Sequence, residues 1–445
     1  MAFTTVYVPV GVPTFHLESA KEQFVSSCEM LRAIDNETVC PDDMLLSLDA
    51  LDAYLEKNDP DLLIFQNLTF ANAAYISHAA AGSNCPILLW TLREPVIDGT
   101  RLRLNSLTGA YSAANALLSF KEKKMLYVFG APDEERVKET VRAVMSAARI
   151  KKEMTTLKVA AIGHTPQGFG FGRALDAEMM SVFGAELTSI EARELIEQAK
   201  GYTEEEIKKD LEDTGAATVG FDKVPKENRT GHARILKAYR AFVKDNHIGA
   251  LASRCWPDFF TAYGTPVCTV LSMLNDEGVA SACEADIYGA LSMWVGMRLS
   301  GSCVFFGDPV SLDEKENTVT FWHCGAGACS LARKDTGAVL GVHPNRRIGP
   351  VMDFGCASAN EATIFRIGRL PEGEFRFFIA EGSVPDKPKQ FEGTSIVVQT
   401  EMNSRLLVEQ SVRDGFEPHF VVILGRYGDA LEALADMYGF PVYRY

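Results

Sequence analysis

The stretch KMLYVFGAPDEERVKETVRAVMSAARI (124–150) reads as one buried strand, one turn and one long helix. Its first part is a short apolar and aromatic run closed by Gly130. From Asp133 to Ile150 the apolar residues return at helical spacing. The same couplet recurs upstream. TTVYVPVG (4–11), DLLIFQN (61–67) and PILLWTL (86–92) are strand-like, and Ala20–Leu31 and Met44–Lys57 are helix-like. Strands apolar on both faces, alternating with helices, imply parallel βαβ units in an open, doubly wound sheet.

Downstream, the charged run RIKKE (149–153) closes this unit and a second one begins. LKVAAIG (157–163), GAELTSI (184–190) and ATVGF (217–221) read as its strands, with helices at His232–Asn246 and Asp286–Ser300. From about Val304 the texture changes. AVLGVHP, ATIFRIGRL, FRFFIAEGS and TSIVVQT are strand-like and separated by turn residues, which predicts a mostly antiparallel region. The tail adds the strand HFVVILGR, a helix at Asp429–Tyr438 and a closing strand FPVYRY. The expected fold class is α/β: two flavodoxin-like doubly wound parallel-sheet domains, 1–153 and 154–303, followed by a mostly antiparallel β C-terminal domain, 304–445.

A chain of 445 residues needs more than one core. A net charge of −15 repels phosphate backbones and anionic membranes, which argues against nucleic-acid or membrane partners. The ten cysteines form no CxxC and are scattered, as in a reduced, cytoplasmic protein. No run approaches the ~20 apolar residues of a membrane span. MAFTTVYVPVGVPTF reads directly as a strand and lacks the basic start of a secretion signal.

Three ionisable residues stand in apolar surroundings: Glu284 in ASACEADIYGAL, Asp308 in CVFFGDPV and His419 in FEPHFVVIL. An unpaired charge in a dry interior costs several kcal/mol or more, so partners are expected. A divalent cation would satisfy all three, and His323 in VTFWHCGAG is a fourth candidate of the same kind. Core carboxylates paired with Arg254 or Arg298 are the competing reading. Oxygen donors match a hard or borderline cation better than a thiolate site. Cys324 and Cys329, with no second closely spaced pair, make a structural zinc site the weaker case. The glycine-rich turn GHTPQGFGFGRA (163–174) follows a strand but lacks the lysine of a P-loop, so a tight turn at the sheet edge is expected. Arg254 and Trp256 pair a charge with an aromatic face suited to a sugar. Trp90, Arg93, Arg103 and Asn105 fall just beyond a strand, where doubly wound sheets carry ligands.

The blocks GVASACEADIYGALSMWVGMRLSG, FFGDP and FWHCG, with the late EPHFVVILGRYGDALEALADMYG, resemble the L-fucose/L-arabinose isomerase superfamily, closer to its fucose branch. The separation of Glu284 and Asp308 (308 − 284 = 24) is similar to that of the paired acidic ligands in fucose isomerases. The resemblance implies a Mn²⁺-dependent aldose–ketose isomerase, with Mg²⁺ or Co²⁺ as substitutes, assembled as a homo-oligomeric trimer or hexamer. It implies Glu284, Asp308 and His419 as metal ligands, with His323 similar to the additional histidine of the arabinose branch. It also implies that Arg93 and Arg103 act on a neighbouring subunit's site. The chain is shorter than familiar fucose isomerases, chiefly near its C-terminus. Glu284 and Asp308 are then the catalytic pair that moves a proton between C2 and C1 through a cis-enediol, a hydride shift being the rival. The substrate stays open among L-fucose, D-arabinose, L-arabinose and a 6-deoxy-6-sulfo hexose, whose anion Arg254, Arg346 or Arg347 would meet. A non-catalytic sugar-binding protein is the alternative, and a nucleotide-dependent oxidoreductase comes third.

Overall fold

The computed structural model describes residues 3–120 and 124–445 and divides into two compact units. The first holds the residues up to Glu153 together with Asp429–Phe440. Its sheet consists of β1 (Thr5–Val10), β2 (Leu62–Asn67), β3 (Ile87–Thr91) and β4 (Met125–Phe129), all parallel and paired in that order. Every residue of β1, β2 and β3 is buried, as a strand covered by helices on both faces requires. Val39 and Leu45 bridge to Val6 and Val10 along the free edge of β1. With that edge segment the spatial order becomes second, first, third, fourth, fifth, which is the flavodoxin-like order. The helix within Asp429–Phe440 is held by its own unit: Lys151 Nζ donates to the Met437 carbonyl at 2.6 Å.

The second unit runs from Met154 to Gly428 and takes up Pro441–Tyr445. Its parallel sheet has the order β6 (Glu186–Ile190), β5 (Lys158–Ile162), β7 (Ala250–Ser253), β8 (Ala280–Cys283). Chain order reverses between β5 and β7, which is where such sheets open a crevice at their C-terminal edge. ATVGF is not one of its strands. Thr218 caps the helix Lys208–Ala217, and Val219 only bridges to Val339. The strands sit instead at ALAS and ASAC, whose small residues carry little of the β-branched signal that marks a strand.

The antiparallel region closes on itself. Its strands are β9 (Phe305–Asp313), β10 (Thr318–His323), β11 (Leu340–Gly341), β12 (Val351–Met352), β13 (Phe354–Gly355), β14 (Ala359–Arg369), β15 (Phe375–Val384), β16 (Thr394–Thr400), β17 (Phe420–Leu424) and β18 (Val442–Arg444). β16, β10, β9, β17, β14 and β15 pair antiparallel in that sequence, and β15 returns to β16 through Gly382–Thr400 and Ser383–Gln399. The result is a barrel filled by Phe305, Phe321, Phe378, Phe420 and Val398. β13 and β18 add parallel to it, and β11 pairs with β12 outside it. No division falls at 303/304. The helix Ile287–Ser300 packs on β7 and β8 and equally on β14 and β17, so parallel sheet and barrel share one core. Among the described residues no helix is long and apolar enough to cross a membrane, and all ten cysteines are free.

Candidate active site

After Cys283 ends β8, Glu284 and Ala285 both take left-handed backbone conformations, with φ of 58° and 55°. That region is costly for residues with a Cβ and persists where the surroundings enforce it. Two contacts enforce it here. Asp286 caps the helix Ile287–Ser300 by accepting from the Gly289 amide at 2.9 Å. The glycine-rich loop after β5 presses in from the other side, where a Cβ on Gly172 would sit 2.8 Å from Asp286 Cα. The same loop lays Phe171 against the His419 ring, centroids 5.4 Å apart. Close packing explains Gly172, and left-handed backbone explains Gly163 and Gly168, with φ of 72° and 88°.

Three more side chains arrive from adjacent barrel strands. Asp308 lies on β9 opposite Trp322, His323 closes β10, and His419 directly precedes β17, whose Phe420 faces Gly307. This register sets the three side by side at one end of the barrel. A bulge at Val310, opposite the step from Thr320 to Phe321, bends β9 beside Asp308, a device that re-aims side chains next to sites. Phe306 packs against both imidazoles, at 5.7 Å from His323 and 4.7 Å from His419.

His419 is fully buried. Its Nδ1 lies 2.9 Å from Asp286 Oδ2, and its Nε2 lies 3.1 Å from Glu284 Oε2 and 3.5 Å from Asp308 Oδ1. Asp286 receives a forked ion pair from Arg366 at 2.5 and 3.0 Å, both side chains fully buried. Burial would raise the Asp286 carboxyl, but the Arg366 guanidinium and the His419 bond hold it well below the usual carboxylate range. An ionised Asp286 accepts the Nδ1 proton of His419 and so turns Nε2 toward two carboxylates. A bare lone pair facing two anionic oxygens is repulsive, so this position calls for a proton or a cation. Burial opposes charge on His419, yet the bonds to Asp286 and Glu284 raise its pKa. His323 behaves alike: burial opposes its charge, but Cys324, Asp308 and Glu284 raise it to about 10. Asp308 is itself pushed up, mainly by burial and in part by Glu284.

The donor set suits a divalent cation. His323 Nε2 is buried without a hydrogen-bond partner among the described residues. Glu284, His323 and His419 each offer one ligand atom within 4.8 Å of the other two, and Asp308 stands beside them. Carboxylate and imidazole donors around an unpaired nitrogen fit a borderline ion. Two further groups, Cys283/His323/Cys324 and Cys268/Cys324/His343, share Cys324 and reach only three ligands. A closed structural zinc site needs four.

No protein-family model matches the chain. Curated proteins do. A sulfoquinovose isomerase of Clostridium sp. (strain MSTE9) is 58% identical over 435 residues, covering 98% of this chain and 97% of the relative. The chain belongs to the sulfoquinovose isomerase family. Sulfoquinovose isomerases of Priestia aryabhattai and Alkalicoccus urumqiensis are each 35% identical, over 438 and 444 residues, covering 98% and 99% of this chain and 96% and 98% of those proteins. Membership in an isomerase family sets aside the non-catalytic sugar-binding reading and the oxidoreductase.

Not every expected residue of this sulfoquinovose isomerase relative joins the cluster. Arg254 follows β7 directly, beside Glu284 after β8, but its Nε lies 3.0 Å from Asp258. Arg298 stacks on Trp294. Glu284 meets His419 instead. The buried arginine that sequence reasoning sought exists, but it is Arg366 and it holds Asp286. Trp256 stands edge-on to Phe169, whose ring neighbours Phe171, centroids 6.3 and 5.6 Å apart. In the first unit, Trp90 is a fully buried core residue of β3 that donates to the Gly130 carbonyl, so it lines no loop. Arg93 pairs with Glu134 at 2.7 and 3.0 Å. The Arg103 amide donates to Glu94, and Asn105, at φ 53°, accepts from Thr108 Oγ1. Asp286 and Arg366 escaped sequence reasoning. Asp286 reads in sequence as the first residue of a helix, and Arg366 alternates with apolar neighbours as any strand residue does. The doublet of acids in CEAD, with an arginine in an otherwise apolar IFRIG, was the available signal.

Proposed function

We propose that this protein interconverts a 6-deoxy-6-sulfo aldose, sulfoquinovose first among candidates, and the corresponding 2-ketose. The observation that carries the reading is the gathering of Glu284, His323 and His419 ligand atoms within 4.8 Å, with Asp308 3.5 Å from His419 and His323 Nε2 buried without a partner, in a chain 58% identical to a sulfoquinovose isomerase. The resemblance to the fucose/arabinose isomerase superfamily supports the same chemistry. Glu284, Asp308, His419 and His323 are the residues to hold a divalent cation, Mn²⁺ first, with Mg²⁺ or Co²⁺ as substitutes. Such an ion supplies Lewis acidity toward the carbonyl and neighbouring hydroxyl of an open-chain sugar.

The chain's own residues do the rest. Glu284 and Asp308 both reach His419 Nε2, and one carboxylate removes the C2 proton while the other returns a proton to C1. A cis-enediol of the sugar lies between the two transfers. Asp286 keeps His419 in one tautomer and one orientation, and Arg366 keeps Asp286 ionised. Phe171 and Phe306 cover the histidines and limit water there. A homo-oligomeric assembly, trimer or hexamer, in the cytoplasm, with Arg93 and Arg103 serving a neighbouring subunit, completes the proposal.

The test is NMR of the Mn²⁺-loaded protein with sulfoquinovose and a panel of neutral aldoses in D₂O. Ketose carrying deuterium at C1 is expected from the sulfonated sugar. Ketose without deuterium would replace proton transfer by a hydride shift. Turnover confined to neutral aldoses would overturn the substrate.

A further inference from the structure

A sulfonated sugar brings a permanent anion, and the ion pairs and hydrogen bonds already made by the nearby arginines, Arg173 included through its bond to Thr165, leave Arg346 to receive it. Arg254 is committed to Asp258 at 3.0 Å, and Arg347 to Glu392 at 2.8 Å. Arg366 is spent on Asp286. Arg346 is different. Among the described residues no carboxylate lies within ion-pair reach of it, and none of its side-chain N–H groups is hydrogen-bonded. Its guanidinium carbon lies 5.3 Å from the Trp256 ring centre and 5.1 Å from that of Phe260, on a turn held by His343, whose carbonyl accepts from the Arg346 and Arg347 amides. The exposed side chain is thereby oriented while its donors stay free, since stacking uses the face of a guanidinium and leaves its edge for ligands.

The position of this guanidinium follows from the aromatic side chains between it and the carboxylates. Phe171 packs on His419, Phe169 on Phe171, Trp256 on Phe169, and Arg346 on Trp256. Phe169 and Phe171 belong to the loop after β5, and Trp256 to the loop after β7. The strip therefore crosses the crevice where the strand order reverses, the place where open sheets bind ligands. We infer that Arg346, stacked on Trp256 and Phe260, is the sulfonate-recognising residue of the substrate site. The inference rests on the sulfo-aldose reading above. The reacting carbons of an open-chain sugar meet Glu284 and Asp308, and its terminal sulfonate takes the forked N–H groups of Arg346 beside Trp256. A neutral 6-deoxy aldose leaves that fork to water.

The experiment compares steady-state kinetics of the Mn²⁺-loaded full chain on sulfoquinovose and on the same 6-deoxy aldose without the sulfonate. Arg346→Gln is expected to raise KM for sulfoquinovose roughly 10- to 100-fold, the range of a lost charge-assisted bond, with kcat within about threefold. Its kcat/KM for the neutral sugar should stay at the wild-type level. Arg346→Lys should recover part of the loss, because the charge returns without the fork. Arg347→Gln and Arg173→Gln, the latter removing a guanidinium that bonds Thr165 at 3.0 Å, should leave both sugars unchanged. Equal loss on both sugars in Arg346→Gln, or an unaltered KM for sulfoquinovose, would overturn the inference while leaving the isomerase standing. Failure of the wild-type protein to turn over sulfoquinovose would remove the parent reading and this inference together.

Discussion

The two parallel sheets share a strand order and differ in what their C-terminal edges do with charge. After β3 the edge is self-contained. Glu94 accepts from the amides of Arg103, Leu104 and Asn105, and Arg93 closes on Glu134. After β8 the edge is left incomplete. Glu284 reaches His419, which the barrel supplies. The fold is permissive at both edges; the site lies where local charge has not been neutralised locally. Strand order alone would have pointed equally to either.

The widest break between the two edges comes from Glu284→Gln. Turnover should fall roughly 10²- to 10⁴-fold, as for loss of a positioned acid–base group, with an unchanged melting curve. Retained turnover would put both edges on the same footing. Arg366→Met comes next. It leaves Asp286 charged and buried without its guanidinium, and urea unfolding should show a loss of about 3–5 kcal/mol. Adding Asp286→Asn to that variant should restore much of the stability and none of the activity.

Glu94→Ala probes the self-contained edge. Loss of its charge-assisted bonds to the backbone should cost about 1.5–3 kcal/mol and admit protease between residues 96 and 101. His232 sharpens the contrast within the second unit, because it is a buried histidine with no carboxylate. Burial, and secondarily the charge of Arg240, lower its pKa to about 3, against about 6.5 when unfolded. The unfolded chain therefore takes the proton first. Stability from this residue is whole above about pH 6.5 and is lost as pH falls toward about 3. Between pH 7.5 and 5.5 the wild type should lose about 1.4 kcal/mol more than His232→Gln in paired denaturant titrations. The smallest effect is expected from Arg93→Gln in stability, since the Arg93–Glu134 pair is exposed and screened. A thermal melt should not move.

The parallel units were legible because strands covered on both faces appear as unbroken apolar runs, as in LLIFQN and ILLWT. β7 and β8 were not, since ALAS and ASAC owe their burial to neighbours rather than to bulk. The antiparallel texture after Val304 was plain, but closure was not. Period-two patterning says which face of β15 or β16 is buried and nothing about which strand lies beside it. Glu284, Asp308 and His419 stood out because charge interrupts apolar sequence. Asp286 did not, because a carboxylate at a helix start already has an ordinary reason to be there.

The chain's last turn through both units bears on how such a protein could have been assembled in evolution. Asp429–Phe440 belongs to the first unit, and Pro441–Tyr445 returns to the second, where β18 extends the barrel sheet at β15. Neither unit is a contiguous stretch of sequence. A recombination that exchanged the first 153 residues would separate that unit from its own late helix. A stop codon after Gly428 would take a helix from one unit and a strand from the other. Inheritance of the two units is thus coupled by the last residues of the chain, and fragment or domain-swap libraries built at the 153/154 junction should yield insoluble halves unless residues 429–440 travel with the first.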